Sequence, residues 1–175
     1  ENVMNEAALL AARRDRKAIC EKDIEEATIK VVAGTEKKSH KVTDKDKKIT
    51  AYHEAGHAIC MYVLETQDPV HHISIIQRGM AAGFTMSLPE EDKMHMTKTE
   101  MKETIIGLLG GRVSEALMLG DICTGASNDM ERATSIAKAM VTRYGFSEKL
   151  GTVVYGNDEN GEVFLGRSFS QSRGY

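Results

Sequence analysis

His53-Glu54-Ala55-Gly56-His57 is the stretch on which the reading of this chain turns. It is an H-E-x-x-H box, and the residues before it have the signature of a helix. Four helical residues advance the chain by about 400°, so His53 and His57 project from one face about one turn apart. Two imidazoles at that spacing can bind a single Zn²⁺. Glu54 lies beside them and can take a proton from water at the metal. A helix that merely carries two histidines and a glutamate on its surface has the same letters, so the surrounding residues must decide.

They favour a built site. Thr43 with Asp46 resembles a capping box, which predicts a helix starting near Asp44. Ile49, Tyr52, Gly56, Ile59 and Val63 recur at steps of three and four and predict a core-facing stripe, with the histidines one position past stripe members. Gly56 costs about 1 kcal/mol relative to alanine inside a helix. That cost predicts a second backbone close by, or a metal site that needs room.

Outward from this helix, residues 3–14 and 22–33 read as two short helices joined by a charged turn, with Gly34 as a C-cap. Thr35 to Lys48 is rich in charge and reads as a linker entering the H-E-x-x-H helix. After the break at Asp68-Pro69, Val70–Ile76 and Gly83–Leu88 read as short strands joined through Gly79. Residues 89–97 read as an exposed loop. Lys98–Leu119 reads as a helix, with Met101, Ile105, Leu108, Leu109, Val113, Ala116 and Leu117 on its apolar face. Gly110-Gly111 within it points to close helix packing. Asn128–Tyr144 reads as a further helix, with Ala133, Ile136, Ala137, Met140 and Val141 inward. Val153–Tyr155 and Val163–Leu165 are weak strand candidates about a turn at Asn157–Gly161. The fold class is therefore mainly α with a small β-sheet, an α+β arrangement.

Composition removes several function classes. The 175 residues suffice for one domain, or one domain and part of another. Apolar content of 41% fits a globular protein. A net charge of −3 with scattered basic residues gives no nucleic-acid footprint. No apolar run approaches the roughly 18 residues that cross a bilayer, and no signal peptide is visible. Cys20, Cys60 and Cys123 form an odd set without C-x-x-C, which suits a reducing compartment. No G-x-x-x-x-G-K-[ST] occurs, so these residues cannot cradle ATP phosphates. Starting at Glu1 and ending on a polar segment, the chain reads as an excised fragment.

Zinc hydrolases usually supply three protein ligands and leave the fourth position to water. The candidates for the third are Asp129, Glu115, Cys123, Cys60, His71, His72 and His95. Ser127 or Asn128 is a good N-cap, which puts Asp129 in a first helical turn, where the dipole favours a carboxylate. That capping role alone could account for Asp129, as a surface ion pair with Arg112 could for Glu115. Cys60 reads as core. His71 and His72 read as packing or solvated, and His40 and His95 as loop residues. Met94, Met96 and Met101 read as loop and core filler.

The ordered motif set resembles the FtsH family, the membrane-anchored AAA+ zinc proteases. It comprises Ala51-Tyr52-His53-Glu54-Ala55-Gly56-His57-Ala58, Asp68-Pro69-Val70-His71, Gly110-Gly111-Arg112-Val113-Ser114-Glu115 and Thr124-Gly125-Ala126-Ser127-Asn128-Asp129. Tyr144-Gly145-Phe146-Ser147-Glu148-Lys149-Leu150-Gly151 and Phe164-Leu165-Gly166-Arg167 complete it. Residues 1–34, with Asn5-Glu6-Ala7-Ala8-Leu9, resemble the last helices of the family's AAA+ lid. The resemblance implies a linker at 35–42 and a zincin-like peptidase domain at 43–175, truncated at its C-terminus. It implies Zn²⁺ held by His53, His57 and Asp129, Glu54 as general base, and Glu115 as partner to a ligand histidine. For the full-length protein it implies ATP and Mg²⁺ in an ATPase core that this fragment lacks, a homo-hexamer, and a membrane anchor upstream. The domain would face the bacterial cytoplasm or an organelle matrix or stroma, and act on unfolded, misassembled or membrane proteins in quality control. The rival readings are a non-catalytic pseudoprotease and a helical assembly module of the same family.

Overall fold

The computed structural model describes residues 2–36, 42–79, 81–89 and 92–155. His40, the turn at Asn157–Gly161, the strand candidate Val163–Leu165 and the Phe164–Arg167 motif lie outside them. The elements in chain order are α1 (Asn2–Arg13), α2 (Glu21–Ala33), α3 (Asp44–Val63), β1 (Val70–Ser74), β2 (Phe84–Ser87), α4 (Lys98–Leu119), a 3₁₀ turn (Thr124–Ala126) and α5 (Ser127–Thr142). This is the expected mainly α fold with a small sheet. The chain divides into two compact units, residues 1–137 and 138–175.

In the first unit, α1 and α2 pack through Ala7, Leu10 and Ala27, with Val3 against them. Their connection is organised by Asp23, whose side chain is fully buried. One Asp23 oxygen accepts from Arg14 at 2.9 Å, the other from Arg16 at 3.0 Å and from the Cys20 N–H at 3.1 Å. A buried carboxylate needs such partners, because leaving it bare would forfeit its hydration without return. Ion pairs Glu6–Lys30 and Arg14–Glu26 tie the helices at either end. Gly34 ends α2, as its φ of 87° requires.

Local hydrogen bonds set the limits of α3 and α4. Thr43 Oγ1 accepts from the Asp46 N–H at 3.1 Å and starts α3 at Asp44. At the head of α4, Thr97 and Glu100 form a reciprocal capping box, and Gly120 closes that helix in the left-handed region. Glu103 of α4 accepts from both the Thr66 N–H, at 2.9 Å, and the Thr66 hydroxyl, at 2.6 Å. This pins the end of α3 to the first turns of α4.

α3 and α4 meet backbone to backbone where Gly56 faces Gly110. A Cβ on Gly56 would collide with the Gly110 carbonyl oxygen and stand 2.6 Å from Ser114 Cβ. One on Gly110 would stand 2.7 Å from both the Gly56 carbonyl oxygen and Cys60 Sγ. The backbone approach expected from Gly56 and from Gly110-Gly111 is therefore present.

The expected apolar stripe on α3 needs correction. Gly56 is buried, but Ile59 is 62% and Val63 69% exposed. The buried face is rotated by roughly a third of a turn, toward Gly56, His53 and His57 on the α4 side and Glu54 and Ala58 on the sheet side. Close backbone packing selects the face with small residues, not the one with large apolar ones. On α4 the expected face holds at Met101 and Leu108, which are buried with Gly107, Gly110 and Gly111, but fails at Val113, Ala116 and Leu117, which are exposed.

β1 and β2 form an antiparallel hairpin with Ile73 opposite Thr85 and a bulge between Val70 and His72. It packs on α3, and His72 stacks on Phe84. In the second unit, the turn after α5 carries Gly145 at φ 62°, and the Tyr155 N–H donates to the Thr142 carbonyl at 2.8 Å. Val153–Tyr155, expected as a strand, forms none, because it has no strand partner among the described residues. Among the described residues no helix is long and apolar enough to cross a membrane.

Candidate metal centre

α3 supplies His53 and His57 one turn apart, and their Nε2 atoms stand 3.0 Å from each other. The start of α5 brings in Asp129, whose Oδ2 lies 3.3 Å from His53 Nε2 and 3.4 Å from His57 Nε2. Two donors each about 2.05 Å from a tetrahedral centre are about 3.3 Å apart. The three measured edges bracket that length, so one small cation fits among these atoms. Among the described residues no other such group of histidine, cysteine and acidic side chains could hold a metal.

The ring nitrogens facing away from this point are both engaged. His53 Nδ1 lies 2.7 Å from Glu115 Oε1, and His57 Nδ1 lies 2.7 Å from the Gly107 carbonyl oxygen. Both acceptors require Nδ1 to carry its proton, which in the neutral rings leaves the Nε2 lone pairs aimed at the shared point. Lone pairs 3.0 Å apart repel unless a proton or a cation lies between them. The electrostatic surroundings agree. Hydrogen bonding to Asp129 raises the His53 pKa against burial, with help from Glu115. Burial lowers that of His57, but Asp129 and the Gly107 carbonyl outweigh it. Burial would raise the Asp129 carboxyl, yet its two histidine partners hold it well below the usual carboxylate range.

Glu54 points from α3 toward the sheet and is 6% exposed. Its Oε2 lies 2.8 Å from the Thr85 hydroxyl on β2, and burial pushes its carboxyl above the ordinary range. A Cβ on Gly83 would approach its Oε1 to 2.9 Å. Glu54, both histidines, Asp129, Thr85 and Arg132 line one cleft of about 1310 Å³.

Glu115 is 1% exposed and pairs with His53, so the competing reading of a surface ion pair with Arg112 does not hold. Its Oε2 accepts the Cys123 N–H at 2.9 Å instead, while Arg112 donates to the Cys123 carbonyl at 3.0 Å. Burial alone would raise the Glu115 carboxyl, but the Cys123 N–H and thiol and the His53 ring lower it. The N-cap expected at Ser127 or Asn128 is also corrected. Ser127 has helical dihedrals because the 3₁₀ turn runs straight into α5, and the extended residue is Cys123. Asp129 does fall in the first turn of α5.

The remaining candidates stand elsewhere. Cys60 is half-buried beside Gly110. His71 lies exposed on β1, and His95 exposed in a loop. Cys123 borders the cleft, but its thiol does not join the three-residue cluster. Sequence reasoning did not single out Thr85 or the Gly107 carbonyl, and it read Arg112 only as an ion-pair partner for Glu115, not as a donor to the Cys123 carbonyl. No spacing rule marks a threonine on one element as the partner of a carboxylate on another. Gly111 was legible only as packing, yet a Cβ there would stand 2.6 Å from both His53 Cε1 and His57 Nε2.

Residues 40–175 match the sequence pattern of peptidase family M41. The whole chain is 58% identical to an ATP-dependent zinc metalloprotease FtsH 2 of Alkaliphilus metalliredigens, of which it covers 25%. It is 57% identical to an ATP-dependent zinc metalloprotease FtsH 1 of Thermoanaerobacter sp., and 49% identical to an ATP-dependent zinc metalloprotease FtsH of Bacillus subtilis, covering 28% of each. The chain thus spans about a quarter of the length of these curated relatives. With the family pattern running over all but the first helices, the H-E-x-x-H helix and the closely packed glycine helix beside it have their explanation: this chain belongs to peptidase family M41.

Proposed function

We propose that this chain is a zinc endopeptidase domain in which His53, His57 and Asp129 hold the metal and Glu54 is the general base. The observation that carries this reading is the convergence of His53 Nε2, His57 Nε2 and Asp129 Oδ2 at tetrahedral spacing in one cleft with Glu54. Two imidazoles and a carboxylate are a donor set that suits zinc and leaves a fourth position open. When bound, zinc polarises the scissile carbonyl and lowers the pKa of water at the site to about 7. Glu54, with its carboxyl pushed up by burial, accepts a proton from the attacking water. It then returns that proton to the leaving amine. Hydroxide has added to the carbonyl carbon, the C–N bond has broken, and Glu54 is regenerated.

Among the described residues β2 pairs only with β1, so its other edge offers backbone groups to an extended peptide. Such pairing reads any sequence and suits unfolded or misassembled substrates. Residues 1–34 then form the end of an AAA+ lid, 35–42 a linker and 43–175 the peptidase domain. In the full-length protein we place this domain in a membrane-anchored, ATP-driven homo-hexamer, as the names of its relatives suggest in part.

Elemental analysis of the purified chain beside a casein-cleavage assay tests the reading. One equivalent of zinc, cleavage by the wild type and none by zinc-loaded Glu54→Gln is the expected result. Absence of zinc, or near wild-type turnover by Glu54→Gln, would overturn it.

A further inference from the structure

α4 holds both histidines of the metal centre from behind. Gly107, Gly111 and Glu115 recur at four-residue spacing and so share one face of the helix. The first accepts from His57, the second clears room for both rings, and the third accepts from His53. Asp129 instead pairs with the two histidines of α3. It hangs from Cys123, the extended residue that precedes the 3₁₀ turn and α5.

We propose that Arg112 is a positioning residue for Asp129, acting through the backbone of Cys123. The inference rests on the reading of Asp129 as a ligand. Both backbone polar groups of Cys123 are engaged by α4: its N–H by Glu115 Oε2 at 2.9 Å and its carbonyl by Arg112 Nη1 at 3.0 Å. No side chain caps the 3₁₀ turn that starts there, so these two bonds set its direction. One bond alone is a pivot, about which the following turn can swing. The second, at the other end of the same residue, removes that rotation. The 3₁₀ turn then runs without a break into α5, carrying fully buried Ala126 and, in the first turn of the helix, Asp129. A swing at Cys123 is thereby transmitted to a carboxylate that must stay about 3.3 Å from two imidazole nitrogens to share a cation with them. Arginine suits the task because its guanidinium is a permanent, rigid donor.

The test is zinc affinity of the full chain, measured by competition with a chromophoric chelator. Wild type is compared with Arg112→Met, Arg112→Gln, Arg112→Lys and Asp129→Asn. Cobalt substitution reports the ligand field, and the melting temperature of the metal-free protein reports the fold. Arg112→Met and Arg112→Gln should bind zinc about 10- to 100-fold more weakly, the range for groups that orient a ligand without being one. Their cobalt absorption should move toward that of Asp129→Asn, metal-free melting should stay at the wild-type value, and Arg112→Lys should recover part of the affinity. Wild-type affinity and cobalt spectrum in both Met and Gln variants would overturn the proposal, as would a loss that only mirrors a fall in metal-free melting. Failure of the wild type to bind zinc, or normal binding by Asp129→Asn, would instead remove the reading of the centre, and this inference with it.

Discussion

The Thr85 hydroxyl on β2 stands 2.8 Å from Glu54 Oε2 on α3 and 3.1 Å from the Glu54 carbonyl oxygen. A single side chain of the hairpin therefore fixes one oxygen of the proposed base. It also supplies a partner to a carboxylate that is nearly cut off from solvent. Thr85→Val keeps the shape and removes the donor. We expect kcat to fall about 10-fold, equivalent to about 1.4 kcal/mol, with KM and zinc content unchanged. Thr85→Ser should restore most of it. Steady-state peptide cleavage with metal analysis decides, and an unchanged kcat in the valine variant would remove this role.

Asp129→Ala and His57→Ala should both lose zinc. The expectation follows from the equal standing of the three atoms in the cluster, each 3.0 to 3.4 Å from the others. Dialysis against a weak chelator followed by metal analysis provides the measurement. Normal stoichiometry and affinity in Asp129→Ala would make Asp129 a helix-start carboxylate only and return Glu115 or Cys123 to candidacy.

Gly111→Ala should damage the centre more than the fold. The new methyl would stand 2.6 Å from His53 Cε1 and from His57 Nε2, so the rings must move. Overpacking of this kind costs about 1–3 kcal/mol, and the displaced nitrogens should no longer bind zinc tightly. Gly120→Ala is the control. It has open space around it but a φ of 67°, so it should cost about 1 kcal/mol and keep its zinc. Equal zinc affinity in the two variants would contradict this account of Gly111.

Acid should loosen the α1–α2 pair through Asp23. Hydrogen bonds from the Cys20 side chain and N–H, then the Arg14 and Arg16 guanidinium groups, lower its carboxyl in the folded chain. A folded pKa below the unfolded one means stabilisation that is full above the unfolded value of about 4 and is lost as pH falls through the folded one. The difference in stability between wild type and Asp23→Asn should therefore be constant near neutrality and shrink below about pH 4. Chemical denaturation at a series of pH values measures it. A difference that grows on acidification would show the sign to be wrong.

Much of this protein follows from short-range rules. Thr43 and Thr97 begin α3 and α4 where their hydroxyls can accept backbone N–H bonds three residues on. The H-E-x-x-H spacing by itself puts two imidazoles on one side of a helix, and the apolar runs after Pro69 and around Phe84 pair as strands. These features are decided within a few residues, so the amino-acid order is enough. Which carboxylate stands beside the histidines was not decided in that way. Asp129, Glu115 and Cys123 were all open by composition. Only the packing of α4 on α3 turns Glu115 inward to His53 and draws the Cys123 backbone onto α4, bringing Asp129 to the two Nε2 atoms. The same packing overrode the apolar stripe through Ile59 and Val63, because two backbones can meet only where glycine removes the side chains. Periodicity reports which residues share a face; contact between distant segments decides which face is buried.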